Sequence, residues 1–192
     1  MASPPTPDFA DLIARLAVEL EAKQVPFMLI GGQAVLLHGE PRLTQDVDVT
    51  MGVGPDRIPD LLGVCEALGL LPLPEDPGAF ARETFVLPAA DPGTGVRVDL
   101  IFSTTPYEAQ AIARAVLVDV GSREVPFATA EDLLLHKLFA ARPRDLEDAA
   151  GVVRRKGPDL DWEYLARWAR EFAVIPGRED LPGQVEALRA NA

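Results

Sequence analysis

Between Ile30 and Val49 the chain reads Ile-Gly-Gly-Gln-Ala-Val-Leu-Leu-His-Gly-Glu-Pro-Arg-Leu-Thr-Gln-Asp-Val-Asp-Val, and the end of this run predicts a strand with two unlike faces. Val47, Val49 and Met51 alternate with Asp46, Asp48 and Thr50. Successive side chains of a strand point to opposite sides, so one face is apolar and the other carries both aspartates. Adjacent carboxylates repel, and the cost is offset when a cation sits between them. Oxygen ligands of this kind suit Mg²⁺ or Mn²⁺. An edge strand with a solvated acidic face explains Asp-x-Asp equally well at this point.

Upstream, Phe27-Met-Leu-Ile30 predicts a short buried strand, and Gly31-Gly32 a turn into a helix over Gln33 to Leu37. Such a turn leaves backbone N–H groups at a positive dipole end, and the missing Cβ atoms let a phosphate oxygen approach closely. A tight turn alone requires the same glycines. Downstream, Val96-Arg-Val-Asp-Leu-Ile-Phe102 predicts an apolar strand carrying a third carboxylate, Asp99. A buried charge there is costly unless paired, and Arg97 and Arg82 are both available as partners. Two acidic positions on one strand and a third on another are what two-metal phosphoryl transfer requires.

The rest of the chain frames these segments. Residues 1–7 are Pro- and Ser-rich and expected to fray. Apolar residues Phe9, Leu12, Ile13, Leu16 and Leu20 recur at helical spacing behind a candidate N-cap, Asp8. A helix is expected over 56–68, then a Pro/Gly-rich loop over 72–79 and a strand over Glu83–Leu87, with a turn at Asp91-Pro-Gly93 before the Asp99 strand. A short helix over 106–114 and a hairpin about Gly121-Ser122 complete a sheet domain over residues 8–128. From Thr129 the pattern is helical only, giving a lobe over 129–175 with helices near 130–141, 143–155 and 161–173. Thr129 and Asp132 resemble a capping box, and Pro143 fits a first helical turn. The tail, 176–192, is broken by Gly and Pro and expected to be weakly helical at best. The fold class is therefore α+β (α/β), a mixed sheet flanked by helices with a C-terminal helical lobe.

Composition excludes several classes. One cysteine, Cys65, and two histidines, His38 and His136, leave no disulfide framework, cysteine zinc cluster or His-rich metal site. No apolar run approaches the roughly 20 residues that span a bilayer, and the first residues lack a secretory pattern, so a cytoplasmic, non-membrane protein is expected. The net charge of −12 repels nucleic-acid phosphates over most of the surface. The exception is the segment from Lys137 to Gly157, where Lys137, Arg142, Arg144, Arg154, Arg155 and Lys156 face only Asp145, Glu147 and Asp148.

Gly31-Gly32, the Asp46-Val-Asp48 pair after thirteen intervening residues, and Asp99 on a later strand together resemble the polymerase-beta-like nucleotidyltransferase superfamily over residues 27–102. With Arg42 and Thr44 before the acidic pair, and Lys137, Arg142, Arg144, Asp145 and Asp148 beyond, the sequence looks like the bacterial branch containing type IV abortive-infection toxins, to about residue 155. The resemblance implies a mixed sheet with the acidic residues at its exposed edge. It implies that Gly31 and Gly32 cradle the triphosphate of an NTP such as ATP, that Asp46 and Asp48 bind both metals, and that Asp99 binds the catalytic metal and helps deprotonate the acceptor hydroxyl. Arg42, Thr44 and Lys137 would serve the nucleotide, Lys137 at the β/γ-phosphates, and Asp145 or Asp148 would face the acceptor.

Plainer roles stand beside these. Lys137 can extend its head to water from an apolar helix, and Asp145 and Glu147 can stabilise a helix N-terminus. Arg42 can hold an aspartate of the pair, His38 can be a packing residue, and Trp162, Tyr164 and Trp168 fit a helical apolar face. Three functions follow. The first is nucleotidyl transfer from an NTP to an RNA 3′ end or a protein hydroxyl, with a cognate antitoxin as partner and the basic segment as an RNA path. The second is transfer to an antibiotic, which the acidic charge suits when the acceptor is cationic. The third is a non-catalytic toxin–antitoxin partner that keeps the fold.

Overall fold

A computed structural model of the protein describes residues 8–121 and 123–192. The segment 1–7, expected to fray, and Ser122 at the tip of the expected hairpin lie outside the described residues. The order is α1 (Phe9–Ala22), β1 (Phe27–Ile30), α2 (Gly31–His38), β2 (Asp46–Met51), α3 (Ile58–Leu68), β3 (Leu71–Pro72), α4 (Pro77–Thr84), β4 (Val86–Ala90), β5 (Arg97–Phe102), α5 (Pro106–Arg114), β6 (Val116–Val120) and β7 (Arg123–Phe127). Four helices follow: α6 (Ala130–Ala140), α7 (Pro143–Lys156), α8 (Trp162–Phe172) and α9 (Leu181–Arg189).

Two compact units result. Of the described residues, one holds 8–32 together with Thr44–Phe127; the other holds Gln33–Leu43 and Ala128–Ala192. The first unit is a mixed sheet of seven strands in the order β3-β4-β5-β2-β1-β7-β6. β2 is the central strand, antiparallel to β1 and parallel to β5. α1 packs against α3 and the β6–β7 end, while α5 lies against β2 and α4 against β4. Asp8 starts α1 by accepting from the Asp11 amide at 3.0 Å, and the helix buries Leu12, Ile13, Leu16, Ala17 and Leu20. Val47, Val49 and Met51 of β2 and Val98, Leu100 and Phe102 of β5 are buried, as period-two alternation requires.

Two expected segments differ. In place of a loop and then a strand over Glu83–Leu87, the chain forms α4 and places the strand at Val86–Ala90. Asp76 caps α4 by accepting from the Ala79 amide at 2.8 Å, and Pro77 occupies the first helical position, where its missing N–H is harmless. The tail also orders: α9 buries Leu181 and Val185, one turn apart on one face. Pro182 sits in its first turn, so it does not break the helix.

In the helical unit the Thr129 hydroxyl accepts from the Asp132 amide and donates to the Asp132 carboxylate at 2.8 Å. The other carboxylate oxygen accepts from the Tyr164 hydroxyl at 2.7 Å, tying α6 to α8 around a fully buried charge. Among the described residues no helix is long and apolar enough to cross a membrane. Tyr164→Phe strips a donor from buried Asp132 and is expected to cost about 1–3 kcal/mol, read as a lower urea midpoint with unchanged slope.

Candidate active site

Strand direction brings the acidic residues to one end of the sheet. β2 and β5 are parallel, so their first residues lie at the same end, and antiparallel β1 delivers Ile30 and Gly31 there as well. In the register, Asp48 stands directly beside Asp99 and Asp46 beside Arg97, while Ile30 faces Asp48 across β1. Residues paired across adjoining strands share a face, so Asp46, Asp48, Arg97 and Asp99 project together, opposite Val47, Val49, Val98 and Leu100. Asp46 is exposed, and Asp48 and Asp99 are half-buried.

Gly31 is fixed by this edge. Its φ is +59°, a left-handed value that costs a residue with a Cβ, and a Cβ placed there would stand 1.9 Å from Asp48 Oδ2. Gly32 is equally closed: a Cβ would meet Thr44 Oγ1 at 2.2 Å and Thr44 Cβ at 2.8 Å. Thr44 Oγ1 in turn donates to the Asp46 carbonyl at 3.4 Å, a long bond. The two glycines thus bring backbone against Asp48 and Thr44, and α2 begins on Gly31 itself, two residues before the expected start.

Asp99 accepts from Arg97 Nε at 2.8 Å, which settles the choice between Arg97 and Arg82. The hydrogen bond to Asp99 is the main reason the guanidinium holds its proton more tightly than usual, and the charges of Asp99, Asp46 and Asp48 add to it against partial burial. Among the described residues no three His, Cys, Asp or Glu side chains stand close enough to form a ready cation site. The donor chemistry and the backbone still fit a hard divalent cation. Strands lie about 4.8 Å apart, so two in-register carboxylates can both reach an ion held at about 2.1 Å from each oxygen.

Arg42, Lys137, Asp145 and Asp148 cluster with one another within the helical unit. Lys137 Nζ is buried and donates to Asp145 Oδ1 at 2.8 Å, with Asp148 Oδ2 also at 2.8 Å. Arg42 donates to both oxygens of Asp148 at 2.6 and 2.8 Å, and Arg142 Nε to Asp145 at 2.5 Å. Arg42 thus holds Asp148, a carboxylate outside the pair its sequence position suggested. Lys137, expected to extend toward water or phosphate, is the centre of a buried ion cluster. Burial alone would raise the Asp145 and Asp148 carboxyls. The hydrogen bonds from Arg142 and Lys137 to the first, and from Arg42 and Lys137 to the second, outweigh it and hold both low.

The basic segment is largely engaged in the same unit. Arg154 pairs with Glu40 at 2.8 Å, Arg155 donates to the Gly39 carbonyl and Arg144 to the Leu43 carbonyl at 3.1 Å. His38 is buried with Nε2 2.8 Å from the Ala128 carbonyl, and burial lowers its proton affinity, as suits a packing residue. Sequence reasoning did not find the Lys137–Asp145–Asp148 cluster. Its signal is a lysine in the last turns of one helix and two acids three apart in the next, across a Pro143 break short enough to make the helices neighbours.

The fold is one shared by nucleotidyltransferases. The antibiotic-resistance factor ANT(2'')-Ia is similar with a TM-score of 0.54 at 17% identity, over 95% of this chain and 89% of that one. An antigenic nucleotidyltransferase-like protein from Paracoccidioides brasiliensis gives 0.54 at 17%, over 96% and 95%. The lincosamide antibiotic adenylyltransferase LnuA, lincomycin-bound, gives 0.51 at 16%, over 77% and 96%. Comparison with curated proteins gives no significant match. The family model of the nucleotidyl transferase AbiEii toxin of type IV toxin–antitoxin systems matches residues 12–189, and the chain belongs to this family.

The ion cluster makes stability acid-sensitive. A carboxyl held low stabilises the fold above its unfolded value of about 3.9, and that contribution is lost as pH falls through the lower folded value. The urea midpoint is therefore expected to drop as pH falls below about 4. Asp145→Asn/Asp148→Asn, which strands Lys137, should start about 3–5 kcal/mol less stable at pH 7 and lose less on acidification.

Proposed function

We propose that the chain is an active, divalent-metal-dependent nucleotidyltransferase whose reaction runs at the sheet end carrying Asp46, Asp48 and Asp99. The observation that carries this reading is the register: Asp48 beside Asp99, with Gly31 held against Asp48 where no Cβ fits. The three carboxylates would hold Mg²⁺ or Mn²⁺, which supplies charge neutralisation at the phosphates and a more acidic acceptor hydroxyl. Gly31 and Gly32, at the start of α2, would face the triphosphate with free amides. Asp99 would take the proton of the acceptor hydroxyl as its oxygen attacks the α-phosphorus. The bond to the bridging oxygen breaks, and pyrophosphate leaves.

For the acceptor, membership of a toxin family supports an RNA 3′ end or a protein hydroxyl, and a cognate antitoxin as partner. Arg154 meets Glu40, and Arg144 and Arg155 donate to backbone carbonyls, within the helical unit; an RNA path along 137–157 would have to exchange these contacts for phosphate, at small cost for an exposed pair. The buried pairing of Lys137 with Asp145 and Asp148 supports structural roles for these three residues. The net charge of −12 favours a second reading, a cationic small molecule as acceptor, and the fold is one that antibiotic-modifying enzymes share.

Two measurements test the proposal. Calorimetric titration with each NTP in the presence of Mg²⁺ should show binding that Asp46→Asn/Asp48→Asn abolishes without loss of fold. With α-labelled NTP, label should pass to one member of a panel of RNA, total protein and aminoglycosides, and Asp99→Asn should slow that transfer by more than about a hundredfold. A folded wild type that binds no NTP would contradict the reading and leave a partner protein that keeps only the fold.

A further inference from the structure

The acidic edge already contains a cation of its own. Arg97 is the residue in register with Asp46, and its Nε lies 2.8 Å from Asp99 Oδ1 on the same strand and face. Its side chain is 48% exposed, so solvent reaches the pair. We infer that Arg97 is an exchangeable counter-cation: it neutralises Asp99 while the edge is without metal, and a divalent cation bound by Asp48 and Asp99 displaces it. This rests on the reading of the three aspartates as the cation site.

The physical case has three parts. Like charges on in-register residues of adjoining strands repel by an amount on the order of a few kcal/mol, so the fold needs a positive charge at this end of the sheet before any metal arrives. Arg97 supplies it from a position two residues before Asp99, where period-two geometry keeps both side chains on one face. Finally, the Asp99 oxygen that accepts from Arg97 has one lone pair engaged by a guanidinium, so a cation that approaches it competes with that positive charge. A half-exposed arginine on a flexible stem can leave at small cost, because exposed ion pairs contribute little. Arg97 is therefore a positioning residue. It sets how strongly the edge holds a cation and keeps Asp99 turned along its strand until one binds.

The experiment is a Mn²⁺ titration followed by electron paramagnetic resonance on wild type, Arg97→Gln and Arg97→Lys, with melting curves to confirm that each folds. Arg97→Gln should bind Mn²⁺ about three- to tenfold more tightly than wild type, and Arg97→Lys, which restores the charge, should return toward the wild-type value. In a background of Asp99→Asn the gain from Arg97→Gln should vanish. On wild type, Mg²⁺ should shift the Arg97 Nε–H resonance as the bond to Asp99 is released, a change that a merely structural arginine would not show. Wild type that binds Mn²⁺ while Arg97→Gln binds it with the same affinity would overturn the exchange and leave the metal reading standing. Wild type that binds no Mn²⁺ at millimolar concentration would overturn both.

Discussion

The parallel pairing of β2 with β5 is what gives this chain an acidic edge. Neither strand alone assembles more than two carboxylates, and a shift of register by one residue would turn Asp99 to the face lined by Val98 and Leu100. The register is held by the buried residues that alternate with them: Val47, Val49 and Met51 on one strand and Val98, Leu100 and Phe102 on the other are packed in the core. The hydrophobic effect on one face of these strands therefore sets the placement of charge on the other. The price in electrostatic repulsion is met in part by Arg97, which is why this arginine belongs to the same argument as the aspartates.

The helical unit solves a similar problem by different means. Lys137, Arg42 and Arg142 surround Asp145 and Asp148 in a site where both carboxylates are almost closed to water. A buried pair of this kind adds little net stability over an apolar core, but removing one partner is costly, so the cluster fixes how α6, α7 and the segment carrying Arg42 pack. The contrast separates two groups of acids that look alike in sequence. Asp145 and Asp148 are enclosed and paired; Asp46, Asp48 and Asp99 lie at an open strand end.

Much of this was legible in the sequence where a period was strong. The alternation in Asp46–Met51 and Val96–Phe102 defined two strands and the common face of Asp46 and Asp48, but left Arg97 and Arg82 both open as partners for Asp99. The helices α1, α5, α7 and α8 follow from apolar spacing and from Asp8 and Pro143 as start signals. What periodicity could not supply was strand order, and hence that Asp48 and Asp99 are neighbours, because pairing between distant segments leaves no local pattern. α4 and α9 were missed because Pro and Gly were read as breakers where first-turn prolines are compatible with a helix. Arg42 and Lys137 were placed near the nucleotide by resemblance, and only the three-dimensional arrangement showed their partners to be Asp145 and Asp148.

Whether Asp48 and Asp99 share a divalent cation at the end of the sheet beside Gly31 can be read by anomalous diffraction from crystals grown with Mn²⁺ and a non-hydrolysable NTP analogue. A metal peak coordinated by oxygens of both Asp48 and Asp99 is expected, with the triphosphate against the Gly31 and Gly32 backbone. A metal and nucleotide bound elsewhere, with Asp99 still held by Arg97, would contradict the shared site.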